Sequence, residues 1–440
     1  MGGCGVKMIQ LPYGKGQIEA ECPPQAKIRV LNTRLQSYKT EFDGKYLAEQ
    51  ALRQPIGIEP LCELARNARS VVILSSDHTR PVPSRILMPL LLNEVRRGNP
   101  DADITILVAT GCHRAPTKEE LLERYGKKIV KEEKIEIHNC DAEDLADMGE
   151  LPSGNRLWLN QSAYQADLLV GEGFIEPHFF AGFSGGRKSV LPGICGRKSI
   201  LRNHCASNID ARESTAGNLA SNQIHLDMVC AAKKAGLDFI LNVILNEKKE
   251  VIAAFAGHPL TAHEEGCRFL KKLCGCQAEK ADIVIASNGG YPLDQNIYQS
   301  VKGMSAAARL CKPGGIIIMA AECVDGHGGE PFYNTFTQGR DADGILHQIL
   351  ARGEDMTQPD QWQSQIFARV LVNNKVIFVS SQSKLMVEKF GMVWAGDLSA
   401  AIRIAVEMTG SSQPEILVLP DAVSMIPMPL EENYEKGDKI

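Results

Sequence analysis

Two apolar rhythms alternate along most of this chain. Short continuous apolar runs occur at 71–75, 103–110, 134–138 and 166–171, and again at 282–287, 314–320, 375–380 and 415–420. Each has the length and β-branched content of a buried strand. Between them lie stretches with helical spacing: 84–95, a helix from about 118, another near 222–235, one at 260–273 and one from about 296. Residues 239–245 and 250–258, separated by Asn-Glu-Lys-Lys, read as an antiparallel hairpin. Strands alternating with helices predict an α/β protein with mainly parallel sheets. The first 55 residues offer only short β-like runs, at 8–12 and 27–31, broken by Pro and Gly. A second α/β series opens at Ala281. The expected division is therefore an N-terminal domain over 1–277 and a C-terminal domain over 278–440, with the last strand a candidate to return to the first domain. The polar tail 431–439 is expected to fray, and no repeat appears.

Composition narrows the class. The chain has 440 residues, 44% apolar and 23% charged, enough for two or three domains with real cores. A net charge of −5 argues against a nucleic-acid partner. The lack of a long apolar run argues against a membrane span, and the opening residues show no apolar signal core. Thirteen cysteines, odd in number, scattered and without a C-x-x-C, argue for reduced thiols in a cytoplasmic protein. Cys112, Cys195 and Cys205 stand beside the sharpest motifs and read first as packing residues.

Those motifs centre on residues 176–204, where His178, Lys188 and His204 punctuate a glycine-rich stretch. Ser184, Gly185 and Gly186, followed by Arg187 and Lys188, suggest a backbone anion cradle with two cations behind it. The bland alternative is a tight turn entering a solvated helix. The spacing also approaches a P-loop and then fails as one, because Arg187 stands where that motif needs Gly. Asp77, Arg80, His113 and His178 each follow a predicted strand, where open α/β sheets place their ligands. Tyr298, Gln299 and Lys302 can share one helix face, and Trp362 lies in a polar stretch further on.

Taken together, Asp77-x-Thr79-Arg80, Gly111-x-His113-Arg114, Glu176-Pro-His178, Gly185-Gly-Arg-Lys188-Ser, Asn203-His204 and Tyr298-Gln299-x-x-Lys302 resemble the nickel-dependent lactate racemase family, the nickel-pincer-nucleotide enzymes. The resemblance implies a 2-hydroxyacid racemase or epimerase with its active site in an interdomain cleft. It implies a nickel-pincer nucleotide joined covalently to Lys188, with His204 as the protein's nickel ligand. Asp77, Ser184, Gly185, Gly186 and Arg187 would lie around the cofactor. His113 and His178 would be the acid/base pair, and Arg80, Tyr298, Gln299, Lys302 and Trp362 would line the substrate site. Hydride would leave C2 and return to the opposite face of a 2-keto acid. The expected partners are a small 2-hydroxy acid and the enzymes that build the cofactor; homo-oligomerisation is left open. A phosphoryl-transfer enzyme using 182–189 and a non-catalytic nickel or nucleotide carrier are the alternatives.

Overall fold

The computed structural model describes residues 8–430, so the tail expected to fray lies outside them. The chain divides into two compact units. One comprises 34–273; the other combines the residues up to Thr33 with those from Cys274 onward. The expected division at 277 is thus corrected at both ends. The Lys27–Val30 strand pairs in parallel with Glu415–Leu419, so the chain's first segment belongs with its last. The final strand does not return to the first domain; Ile426–Pro429 pairs with Gly275–Ala278 inside its own unit. A parallel partner need not be local in sequence, so nothing in the run 27–31 reveals this.

The unit formed by the two chain ends holds a six-stranded parallel sheet. Its order is Val393–Ala395, Lys375–Val379, Cys311–Ala320, Ala281–Ser287, Glu415–Leu419 and Lys27–Val30. The near-continuous apolar strands follow from burial of both faces. On one face Ile283, Ile285, Ile318 and Ile377 pack with Leu398, Ile402 and Ala405 of the Leu398–Thr409 helix and with Ile9 and Leu11 of the Met8–Tyr13 hairpin strand.

The 34–273 unit is built on a second six-stranded sheet, ordered Val251–Gly257, Leu237–Leu245, Leu168–Phe174, Ser70–Ser76, Asp103–Ala109 and Lys134–Ile137. Only the first pair is antiparallel, the hairpin expected from its turn residues. The Ser84–Gly98 helix lays Leu87, Met88, Leu91 and Val95 onto Val71, Ile73, Ile104 and Ile106. After Ser70–Ser76 the chain moves outward in one direction to 103–109 and 134–137. It then returns to place 168–174 on the other side. The strand order therefore reverses beside Ser70–Ser76, which is where an open α/β sheet leaves a crevice at its carboxyl edge.

Candidate functional site

Three neighbouring strands deliver the residues at that edge. Asp77 directly follows Ser70–Ser76, His113 follows Asp103–Ala109, and His178 follows Leu168–Phe174. The His113 Nδ1–H donates to Asp77 Oδ2 at 2.6 Å. Thr79 Oγ1 donates to Asp77 Oδ1 at 2.6 Å, and Arg80 Nη1 donates to Thr79 Oγ1 at 2.9 Å. Burial alone would push the Asp77 carboxyl up, but the bonds from His113 and Thr79 and the charge of Arg80 hold it down at about 2. An ionised Asp77 fixes the proton on His113 Nδ1, so the neutral ring offers Nε2 as an acceptor. His113 and Arg80 are exposed and Asp77 is buried beneath them.

His178 is held the other way round. It sits in a two-strand turn, Pro177–His178 against Gly182–Phe183. Within that turn the Ala181 N–H donates to His178 Nδ1 at 3.3 Å. That bond leaves the proton of the neutral ring on Nε2. One ring is thus arranged to take a proton and the other to give one.

Phe180 gathers the remaining groups. Its ring lies 4.5 Å from that of His178 and 5.1 Å from that of His204, both edge-on, and Lys188 Nζ stands 5.8 Å from its centre. Burial lowers the His204 imidazole to about 3, helped by the Lys188 charge. Burial, then Arg187 and Arg80, pulls the Lys188 ammonium well below its ordinary range. An uncharged amine and an uncharged imidazole are the forms that can be acylated and can ligate a metal, respectively. Among the described residues no group of three His, Cys, Asp or Glu could hold a metal ion.

The glycine-rich loop departs from the cradle expected of it. Gly186 N–H donates to Asn242 Oδ1 at 2.7 Å, and Ser184 Oγ donates to the Phe174 carbonyl at 2.9 Å. The glycines admit protein rather than ligand. A Cβ on Gly185 would lie 2.7 Å from Asn242 Oδ1, and one on Gly186 2.7 Å from the His263 ring; both residues have positive φ, 78° and 51°. Arg187 turns inward. It donates to the carbonyls of Phe183 and Ala181, each at 2.8 Å, and to His225 Nδ1 at 3.1 Å. Its Nη1 lies 3.1 Å from His263 Nε2. Ser184, Gly185, Gly186 and Arg187 therefore shape the loop that presents Lys188.

Arg124 is a residue the sequence did not single out. From the Lys118–Glu132 helix its Nη2 donates to the carbonyls of Asp77 and Arg80, and its Nη1 to the Val82 carbonyl and Ser84 Oγ. One guanidinium thus braces the whole 77–84 segment. In sequence it looks like any cation on an amphipathic helix.

Tyr298, Gln299, Lys302 and Trp362 belong to the other unit. Asn296 caps the Ile297–Leu310 helix by accepting from Gln299 N–H at 2.9 Å. Tyr298 O–H donates to Asp360 Oδ1 at 2.7 Å, which ties the start of this helix to the start of Gln361–Asn373, where Trp362 lies. All four are half-buried.

A doubly wound sheet with oppositely set imidazoles, a buried lysine and a buried neutral imidazole at its switch point defines an α/β enzyme site suited to acid–base chemistry. Comparison with known proteins makes the class definite. Residues 13–217 match the lactate racemase N-terminal domain and 276–427 the lactate racemase C-terminal domain. The chain is 49% identical to the lactate racemase of Thermoanaerobacterium thermosaccharolyticum over 95% of its length and 98% of that protein's. It is 47% identical to the lactate racemase of Lactiplantibacillus plantarum over 95% of its length and 99% of that protein's. The structure of the lactate racemase apoprotein from the former organism superposes with a TM-score of 0.91 at 47% identity, covering 96% of this chain and all of that one. A Thermotoga maritima protein, 17% identical with a TM-score of 0.60, covering 88% of this chain and all of that one, shares the fold. The chain belongs to the lactate racemase family, and its chemistry is that of an isomerase. That membership sets aside the phosphoryl-transfer and carrier alternatives.

Proposed function

We propose that this protein racemises lactate, with His113 and His178 as the acid–base pair and Lys188 and His204 as the protein's attachments to a nickel-pincer nucleotide. The observation that carries the reading is the opposite hydrogen bonding of the two imidazoles. His113, oriented by Asp77, presents an acceptor; His178, oriented by the Ala181 N–H, presents a donor. Interconverting mirror images requires a base on one face and an acid on the other, with the roles exchanged in the reverse direction.

The residues fit the cofactor. Burial pulls the Lys188 ammonium well below its ordinary range and lowers the His204 imidazole to about 3, both toward the uncharged forms that attachment and metal ligation need. His204 would be the protein's ligand to a nickel ion whose other donors the bound group would supply. When bound, that group supplies an acceptor and donor for the hydride at C2 of the hydroxy acid. The protein's residues do the rest. His113 Nε2 takes the hydroxyl proton of one enantiomer, and His178 Nε2–H returns a proton to the oxygen for the other. Arg80, exposed beside Thr79, counters the substrate carboxylate. The Phe179 and Phe180 rings stacked on and against His178 limit its rotation.

The test uses protein produced together with the cofactor-building enzymes. Intact mass should show an addition on Lys188, metal analysis should show nickel, and either lactate enantiomer should drift to an equal mixture. The Lys188→Ala variant should lose the added mass and all turnover. Loaded protein that leaves both enantiomers unchanged would sink the proposal.

A further inference from the structure

One oxygen of a buried carboxyl closes the loop that carries Asp77 and Arg80. Glu172 lies in the buried strand Leu168–Phe174, the parallel neighbour of Ser70–Ser76. Its Oε1 accepts the hydroxyl hydrogen of Ser75, near the end of Ser70–Ser76. The same oxygen accepts that of Ser84 at 2.5 Å, from the start of the Ser84–Gly98 helix. Glu172 and both serines are buried. Asp77, Thr79 and Arg80 lie between the two serines in sequence. The chain therefore leaves the sheet and enters the helix at a single shared acceptor.

The hydroxyl hydrogens are aimed by what stands behind them. Tyr125 O–H donates to Ser75 Oγ at 2.7 Å, and Arg124 Nη1 donates to Ser84 Oγ at 3.3 Å. An arginine offers no acceptor, so the Ser84 hydrogen points away from it, to Glu172. Glu172 Oε2 has no hydrogen-bond partner. Burial raises the carboxyl, more than the bonds from Ser75 and Ser84 lower it. The interior thus favours the uncharged acid, whose carbonyl oxygen has two lone pairs for two hydroxyls. Burying this polar group costs free energy that an apolar side chain would not. What the carboxyl adds is its two bonds to the loop's ends.

We infer that Glu172 is a positioning residue for the reaction: by holding Ser75 and Ser84 together it fixes the loop 77–83, and with it the seat of His113 on Asp77 and the placement of Arg80. Arg124 grips the same loop by its carbonyls. Losing Arg124 leaves both loop ends on Glu172, whereas losing the carboxyl frees both. The clasp stands on hydrogen bonds alone; its effect on turnover rests on the racemase reading.

The experiment has two arms. In the first, hydrogen–deuterium exchange is followed on the full-length protein without cofactor. The reporters are the Thr79 and Arg80 N–H groups, which donate to Asp77 Oδ1 at 3.0 Å and to the Asp77 carbonyl at 3.2 Å. Glu172→Met, a flexible apolar filler, should speed their exchange and leave the Thr261–Cys274 helix unchanged. In the second arm, cofactor-loaded variants are assayed over a range of lactate concentrations. Glu172→Met should lower kcat/KM by roughly ten- to a hundredfold, the scale that a misplacement of about 1 Å costs. KM should rise through Arg80 and kcat fall through His113. Glu172→Gln keeps an oxygen for both hydroxyls and should restore most of the rate, even with a lower urea midpoint. Ser84→Ala should show part of the loss, and combining it with Glu172→Met should add little. Should Glu172→Met not fold, Ser75→Ala and Ser84→Ala, each freeing one end, carry the same comparison. Lost stability with KM and kcat unchanged per folded molecule overturns the proposal. So does Glu172→Gln as impaired as Glu172→Met, or unchanged exchange at Thr79 and Arg80. Loaded wild-type protein that leaves lactate unracemised refutes the racemase reading instead, and the exchange arm still decides the clasp.

Discussion

Around Arg187, two imidazoles and several backbone carbonyls close over a guanidinium sealed in the interior. Around Arg80, an imidazole, a hydroxyl and a carboxylate stand at the open edge of three strands. Both clusters join a histidine to an arginine, and both lie within one unit. The difference is in what remains to be bonded. The Arg187 fork is occupied by protein acceptors, and its neighbours His225 and His263 are forced neutral by burial and by its charge, His225 to about 3. The Arg80 cluster orders its groups through Asp77 and leaves His113 and Arg80 exposed. A polar cluster closed on itself holds a loop in place; one ordered from beneath and open above can meet a substrate.

The sharpest way to break this comparison is to remove the imidazoles. In cofactor-loaded protein, His113→Ala and His178→Ala should each lower the racemase rate by about 10²–10⁴-fold with little change in urea midpoint. His263→Ala should do the reverse, destabilising the fold before it slows the reaction. Retained turnover in both of the first two variants would remove the acid–base assignment.

Arg187→Leu should be the most damaging to stability. It removes the guanidinium donors from the carbonyls of Phe183 and Ala181, the latter keeping the Phe183 N–H, at about 1–3 kcal/mol for a group left unsatisfied. Arg187→Lys should recover little of this, because an ammonium cannot reproduce the fork. Urea unfolding decides it, and near-native stability for Arg187→Leu would show that the interior cluster is dispensable.

Asp77 gives a signature in pH. Its carboxyl lies at about 2 when folded, below the ordinary value of 3.8. The ionised form is therefore favoured by folding. Its contribution, about 2 kcal/mol at 1.36 kcal/mol per unit, is full above pH 4 and is lost as pH falls through 2. Asp77→Asn should remove this dependence from urea midpoints measured across that window. The smallest effect is expected from Arg124→Lys. It keeps the charge but loses the fork that holds the carbonyls of Asp77 and Arg80, so the rate should fall several-fold, by roughly 1 kcal/mol, with His113 intact.

The open cluster was legible in the sequence because its members sit at the ends of continuous apolar runs, and strand ends are easy to place. The closed cluster was not. Gly185 and Gly186 have the same letters whether their bare side meets a phosphate or, as here, Asn242 and His263. The partners that turn Arg187 inward come from 38 and 76 residues further along. Arg124 escaped notice because three of its four acceptors are carbonyls, which no side-chain pattern marks. The Lys27–Val30 strand was recognised, but its partner lay nearly the whole chain away.

That pairing bears on synthesis. The unit carrying Lys188 is one unbroken stretch, 34–273, interposed in the sequence of the other. A ribosome delivers all of it while the strand Lys27–Val30 still waits for residues 415–419 to emerge. On a vectorially growing polypeptide the lysine-bearing body can finish first, as early-translated domains do, whereas the other body cannot close its sheet until residues 415–419 have been made.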